Sequence, residues 1–89
     1  MTDRVLIVDD EPIIRKGLKG FIEWEKEGLS LEADCANGME ALEILQSRPI
    51  DILITDIKMP VMDGLQLTRK ALEINPNMKV VLISSYGEF

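Results

Sequence analysis

The sequence predicts an α/β protein built on a doubly wound parallel sheet with strand order 2-1-3-4. Three observations carry that expectation. Short apolar runs of strand length alternate with stretches whose apolar residues recur at helical spacing. Two of the runs, Val5-Leu6-Ile7-Val8 and Ile52-Leu53-Ile54-Thr55, lead directly into aspartate. The whole series reads β-α-β-α-β-α-β, without a repeat, linker or low-complexity stretch. Right-handed crossovers and a switch point between strands one and three set the order. They place the first helix on one face of the sheet and the second and third on the other.

Val5 to Val8 is a buried strand, and Pro12 suits the first turn of a helix, where a missing N–H costs nothing. Ile14, Leu18, Phe21 and Ile22 then recur at helical spacing, with Arg15, Lys16, Lys19 and Glu23 on other faces; this helix should end by Gly28. Leu29 to Ala36 forms a weaker second strand, and Asn37-Gly38 signals a turn or a helix start. Met39 to Ser47 is a second helix burying Leu42 and Leu45, and Asp51 to Thr55 the third strand. A loop from Met59 to Gly64 leads to a third helix, Leu65 to Ile74, with Leu67, Ala71 and Ile74 on one face. Asn75-Pro76-Asn77 breaks it, Lys79 to Ser84 is the fourth strand, and Ser85 to Phe89 has room only to begin another element.

Eighty-nine residues make a single domain with a thin stability margin. No apolar run approaches the roughly 20 residues of a membrane span. Met1-Thr2-Asp3-Arg4 lacks the basic-then-apolar pattern of a signal peptide, so a cytoplasmic location is expected. Cys35 is the only cysteine, which excludes an internal disulfide. The absence of histidine removes the commonest transition-metal ligand and general base. A net charge of −6 argues against direct nucleic-acid binding by this segment.

Open α/β sheets place their sites beyond the carboxyl ends of their strands, so Asp9, Asp10 and Asp56 should converge at the switch point. Three carboxylates in one crevice repel one another unless a cation joins them. Carboxylate oxygens, a main-chain carbonyl and waters suit Mg²⁺. The plain alternative makes these residues ordinary strand-end turn formers, evenly weighted at either site alone but much weaker for the two together. Ser84, at the end of the fourth strand, faces the same crevice, although alone it reads as a simple polar terminus. Lys58 offers the metal its main-chain carbonyl, since a protonated amine binds no cation; its side chain reads as a solvated charge. Gly64 opens the third helix. Cys35, Trp24 and the methionines show no ligand spacing, and no phosphate-binding glycine loop is present.

Three blocks together resemble the receiver domain of two-component response regulators. They are Val5 to Pro12, Asp51 to Pro60 with Met62-Asp63-Gly64, and Val81-Leu82-Ile83-Ser84. The resemblance covers the whole chain, and Phe21 to Gly28 is similar, more weakly, to receivers that precede AraC-type DNA-binding domains. It implies a flavodoxin-like fold in which Asp56 is the phosphoacceptor. It further implies that Asp9 and Asp10 hold Mg²⁺, with Asp10 the direct ligand, that Lys58 gives a carbonyl to the metal, and that Ser84 is the switch hydroxyl. The implied partner is a sensor histidine kinase, and the implied role is signalling rather than independent enzymatic activity.

Family receivers have five βα units, whereas these residues stop where the fourth helix should begin. The expectation is therefore a C-terminally truncated receiver, lacking the fourth helix, the fifth strand with its lysine, and the fifth helix. Without that lysine the site sums to −1 with Mg²⁺ bound, and loss of one preorganised charge partner costs on the order of 3–4 kcal/mol in rate terms. Weak Mg²⁺ binding and poor phosphate acceptance are the expected result. The exposed fourth strand, and a sheet face carrying Ile52, Ile54, Val81 and Ile83 or the residues alternating with them, predict a homo-oligomer. The runner-up is an inactive half-domain acting as an assembly scaffold. A Mg²⁺-dependent aspartyl phosphatase lacks its D-x-D motif here, and a flavodoxin its Ser/Thr-rich phosphate loop.

Overall fold

The alternation of side chains along the first strand decides the architecture. The computed structural model describes residues 2–83. In it the chain runs β1 (Asp3–Val8), α1 (Pro12–Phe21), a single 3-10 turn (Glu25–Glu27), β2 (Leu29–Cys35), α2 (Gly38–Ser47), β3 (Ile52–Asp56), α3 (Gly64–Ile74) and β4 (Lys79–Ile83). The four strands are parallel and lie in the order β2-β1-β3-β4, as the sequence predicts. Val5, Leu6, Ile7 and Val8 of the central β1 are all fully buried. Their period of two divides them between faces. Leu6 and Val8 join Ala41, Leu45, Leu53, Leu67 and Ala71 beneath α2 and α3, while Val5 and Ile7 join Trp24 with Leu18 and Ile22 on the α1 side. Each such buried aliphatic side chain contributes about 1.5–3 kcal/mol.

One irregularity changes which side chains β2 presents. Val5 pairs with Leu31, but Leu6 pairs with Ala33, so Glu32 is an extra residue. A bulge of one residue inverts the alternation beyond it. Leu31 therefore packs on the α1 face, whereas Ala33 and Cys35 pack under α2 and α3. Asp34, paired with Ile7, is turned to the α1 face. Arg48 closes the gap by donating through Nη1 to the Glu32 carbonyl at 3.3 Å.

The structure corrects several details. The first helix ends at Phe21, within the limit set by Gly28, but Ile22, counted in its apolar stripe, is already extended. A 3-10 turn follows, closed by Gly28 at φ 74°, the left-handed conformation that glycine adopts freely. The change of direction sends Trp24 into the core, where its indole N–H donates to the Lys19 carbonyl at 3.2 Å. Phe21 consequently leaves the buried stripe and is 88% exposed, while Ile14, Leu18 and Ile22 are half-buried. Leu42 is only half-buried, because Ala41 and Leu45 occupy the inner line of α2, and Ile74 is exposed where α3 leaves the sheet. β2 stops at Cys35, one residue short of the expected end, and β3 runs one residue further, to Asp56. Ile52 and Ile54 are half-buried against the α1-side cluster, so sheet exposure is concentrated in Val81 and Leu82. Ser84 and residues 85–89 lie outside the described residues.

Candidate metal centre

β1 and β3 are hydrogen-bonded neighbours with Val8 beside Thr55, so the residues that follow emerge side by side at one end of the sheet. Asp9, Asp10 and Asp56 meet there, each offering a carboxylate oxygen within 4.8 Å of the other two. Among the described residues this is the group of acidic, cysteine or histidine side chains with the spacing to hold a metal ion. Asp9 and Asp56 are buried, whereas Asp10 faces solvent. Lys58 is exposed on the following loop.

The surroundings of Asp9 test whether a cation fits. Its main-chain N–H donates to the Cys35 carbonyl at 3.1 Å. Its carbonyl accepts from Arg15 Nη1 at 2.7 Å, and its Oδ1 accepts the Glu11 N–H at 2.8 Å. Its Oδ2 is buried and accepts no hydrogen bond. A buried carboxylate oxygen without a partner is costly, and a hard divalent cation bound by oxygens is the partner that this donor set fits. Burial raises the Asp9 carboxyl above its ordinary range; the Glu11 N–H opposes that rise, and the charges of Asp56, Asp10 and Glu11 add to it. A bound cation removes the cause of most of this shift by supplying the charge that solvent no longer supplies.

Two close backbone approaches shape the loop after β3. Gly64 opens α3 and donates its N–H to the Ile57 carbonyl at 2.8 Å. A Cβ at this position would collide with the Asp56 carbonyl oxygen. Gly38, at the start of α2, lies where a Cβ would sit 2.9 Å from Met62 Cβ, so Met62 clips the loop onto α2. Asp63 caps α3 by accepting the Gln66 N–H at 2.8 Å, and the Gln66 side chain accepts the Asp63 N–H in return. The acidic residue of Met62-Asp63-Gly64 thus serves the helix end and not the crevice. Cys35 is excluded as a nucleophile, because burial first, and Glu40 second, push its thiol up to about 12.

Sequence reasoning missed two participants. Arg15 was assigned to the outer faces of α1, yet it is half-buried and holds the Asp9 carbonyl. Asp34, which binds Arg15, reaches that position only through the β2 bulge, and no short motif announces it.

A doubly wound parallel sheet with three carboxylates at its switch point defines a flavodoxin-like α/β module with a cation-seeking crevice. The chain belongs to the response regulator receiver domain family, whose family model matches residues 5–89. It is 44% identical over 86 residues to the uncharacterized transcriptional regulatory protein YesN of Bacillus subtilis, covering 97% of this chain and 23% of that protein. The receiver domain of AraT, a response regulator from Geobacillus stearothermophilus, matches with a TM-score of 0.90 and 43% identity, over 100% of this chain and 69% of that one. The CheX–CheY complex with beryllofluoride and Mg²⁺ from Borrelia burgdorferi matches with a TM-score of 0.82 and 34% identity, over 97% of this chain and 64% of the matched chain. The relatives are two-component response regulators, AraC-type regulators among them. The chain spans less than a quarter of YesN. No helix among the described residues is long and apolar enough to cross a membrane.

Proposed function

We propose that this receiver accepts a phosphoryl group on Asp56 in the presence of Mg²⁺, within a two-component transcriptional response regulator that takes the group from a sensor histidine kinase. The observation that carries this reading is the buried, hydrogen-bond-free Oδ2 of Asp9, a residue clustered with Asp10 and Asp56. Asp9, Asp10 and Asp56, with the main-chain carbonyl of Lys58, are the groups that would hold the ion, Asp10 as the direct carboxylate ligand. Mg²⁺ supplies two positive charges against three carboxylates and so lowers the charge barrier to an incoming phosphoryl anion. A carboxylate oxygen of Asp56, at the carboxyl end of β3, forms the O–P bond as the donor's P–N bond breaks, and the electron pair leaves with the imidazole. Burial of Asp56 excludes the water that would compete for the phosphorus. Ser84, following β4, is assigned the hydroxyl that turns to the phosphoryl oxygens.

The test is incubation of the intact regulator, as wild type and as Asp56→Asn, with acetyl phosphate and Mg²⁺, read by intact-mass spectrometry. A gain of one phosphoryl mass on the wild type alone, lost on removing Mg²⁺, is expected. Equal labelling of the Asp56→Asn variant refutes the assignment. A cytoplasmic location fits this role. A second reading concerns assembly: β4 is an edge among the described residues, with Val81 46% and Leu82 39% exposed. An unpaired edge beside exposed apolar side chains favours association of copies through β4. Multi-angle light scattering that shows only monomer at micromolar concentration rejects it. No observation favours an inactive assembly scaffold over a working receiver.

A further inference from the structure

Asp9 is tied down on every side but one, and the tie on its carbonyl leads away from the site. Arg15, one turn into α1, donates through Nη1 to the Asp9 carbonyl oxygen at 2.7 Å. The same guanidinium donates through Nε to Asp34 Oδ1 at 3.3 Å. Lys19, one turn further along α1, pairs with Asp34 Oδ2 at 2.9 Å. Arg15 and Asp34 retain only 20% and 24% of their side-chain exposure, so this is a half-buried bridge and not a loose surface pair.

The bulge at Glu32 is what makes the bridge possible. Paired without the bulge, these same residues would put Asp34 on the face beneath α2 and α3, and Arg15 would have no anchor. We propose that Arg15, held by Asp34, is a positioning residue for Mg²⁺, fixing the β1–α1 turn so that Asp9 Oδ2 is the carboxylate oxygen left to face the ion. The inference rests on the reading of the cluster as a Mg²⁺ site. Arg15 touches neither the ion nor a reacting atom in this arrangement; it acts through the main chain of Asp9.

Charge alone makes the opposite forecast. A guanidinium near three carboxylates competes with a cation, so if Arg15 acted only through its field, removing it would tighten Mg²⁺ binding. A brace predicts weakening. Partners that orient a metal's ligands typically matter by about 10- to 100-fold in affinity. Lysine cannot replace the brace, because one ammonium does not reproduce a planar fork that spans two acceptors.

Isothermal titration of Mg²⁺ into the wild type, Arg15→Gln, Asp34→Asn, the double variant and Arg15→Lys tests the proposal, with urea midpoints in EDTA measured alongside. Arg15→Gln should weaken Mg²⁺ binding about tenfold, and Arg15→Lys should not restore it. Asp34→Asn should weaken it in the same direction, with the double variant no weaker than Arg15→Gln alone, since both remove one device. Arg15→Gln that binds Mg²⁺ as well as the wild type, or better, overturns the proposal, and so do additive effects of the two substitutions. If Arg15→Gln fails to fold, Asp34→Asn with unchanged Mg²⁺ affinity overturns it equally. A wild type that binds no Mg²⁺ refutes the reading of the site itself, whereas a binding wild type with an indifferent Arg15→Gln refutes the brace alone.

Discussion

Neutralising Asp9 should make the metal-free protein more stable and the Mg²⁺-loaded protein less distinctive. Asp9→Asn is the informative substitution because asparagine keeps an Oδ1 to accept the Glu11 N–H, now at 2.8 Å, and changes little in volume. What it removes is charge. The carboxylate oxygens of Asp9 and Asp56 lie within 4.8 Å. At such a separation two unit charges repel by roughly 3.5 kcal/mol with an effective dielectric constant near 20, and by ~0.9 kcal/mol in bulk water. Both groups are buried, so the true cost lies inside that bracket, and the solvated Asp10 adds a smaller share. A gain of about 2 kcal/mol for Asp9→Asn in EDTA at pH 7 follows, or roughly 8–16 °C in Tm for a domain of this size.

The pH dependence fixes the sign independently. Burial raises the Asp9 carboxyl above its ordinary value of 3.8, so the folded chain holds this proton more tightly than the unfolded one. The penalty is fully present above the raised value and disappears as pH falls through it toward 3.8. The stability gap between Asp9→Asn and the wild type should therefore close on acidification. Mg²⁺ should reverse the ranking, since at the proposed site it would stabilise the wild type by mass action while the variant lacks one of the charges that would hold the ion. Thermal melts of both proteins in EDTA and in Mg²⁺, from pH 7 to pH 4, read all three effects. A variant less stable than the wild type in EDTA at pH 7, or a gap that does not change with pH, refutes the reasoning.

Other consequences follow from single contacts. Gly64→Ala forces a Cβ into the Asp56 carbonyl oxygen, and should cost about 1–3 kcal/mol and weaken Mg²⁺ binding; urea denaturation and calorimetric titration check the two effects. Val61 holds φ at 71° with the Met62 N–H donating to the Pro60 carbonyl at 2.8 Å, a γ-turn that strains a β-branched residue. With its side chain 94% exposed, little packing is lost in Val61→Gly, which should gain about 0.5–1 kcal/mol in a urea melt, while unchanged stability argues against strain. Cys35, buried and with its thiol pushed up to about 12, should resist a thiol-specific disulfide reagent at pH 8 and react fully once urea unfolds the chain. Rapid labelling of the folded protein contradicts the burial.

How much of this was legible in the sequence depended on distance along the chain. Strand order, the helices' faces and the meeting of Asp9, Asp10 and Asp56 follow from short blocks: an apolar run that must be buried, with acidic residues at its carboxyl end. Nothing beyond local period and chain topology is needed for them. The end of α1 was not legible, because Ile22 continues the helical pattern by sequence while the pull of Trp24 into the core bends the backbone away. Phe21 fails for the same reason, since its stripe position exists only if the helix goes on.

The brace shows a different kind of limit. A period-2 pattern assigns each residue of β2 a face by parity, and parity is lost at one inserted residue. Leu29 to Cys35 contains no glycine or proline to mark the bulge, so its alternation gave no hint that Asp34 would point toward α1. Helical spacing alone puts Arg15 on a face away from the apolar stripe, and nothing local in the sequence pairs it with Asp34. The clustering of the three carboxylates can be read from where strands end, whereas the contact of Arg15 with Asp34 depends on a register shift some two dozen residues from Asp9. The same seven residues paired without the bulge would turn Asp34 beneath α2 and α3 and leave Arg15 without its anchor. Deleting Glu32 tests that account within this chain, because it removes the bulge while leaving Ala33 opposite Leu6 and Asp34 opposite Ile7. Asp34 should stay on the α1 face and Mg²⁺ affinity should stay near that of the wild type, whereas a loss as large as that of Asp34→Asn refutes this account of the register.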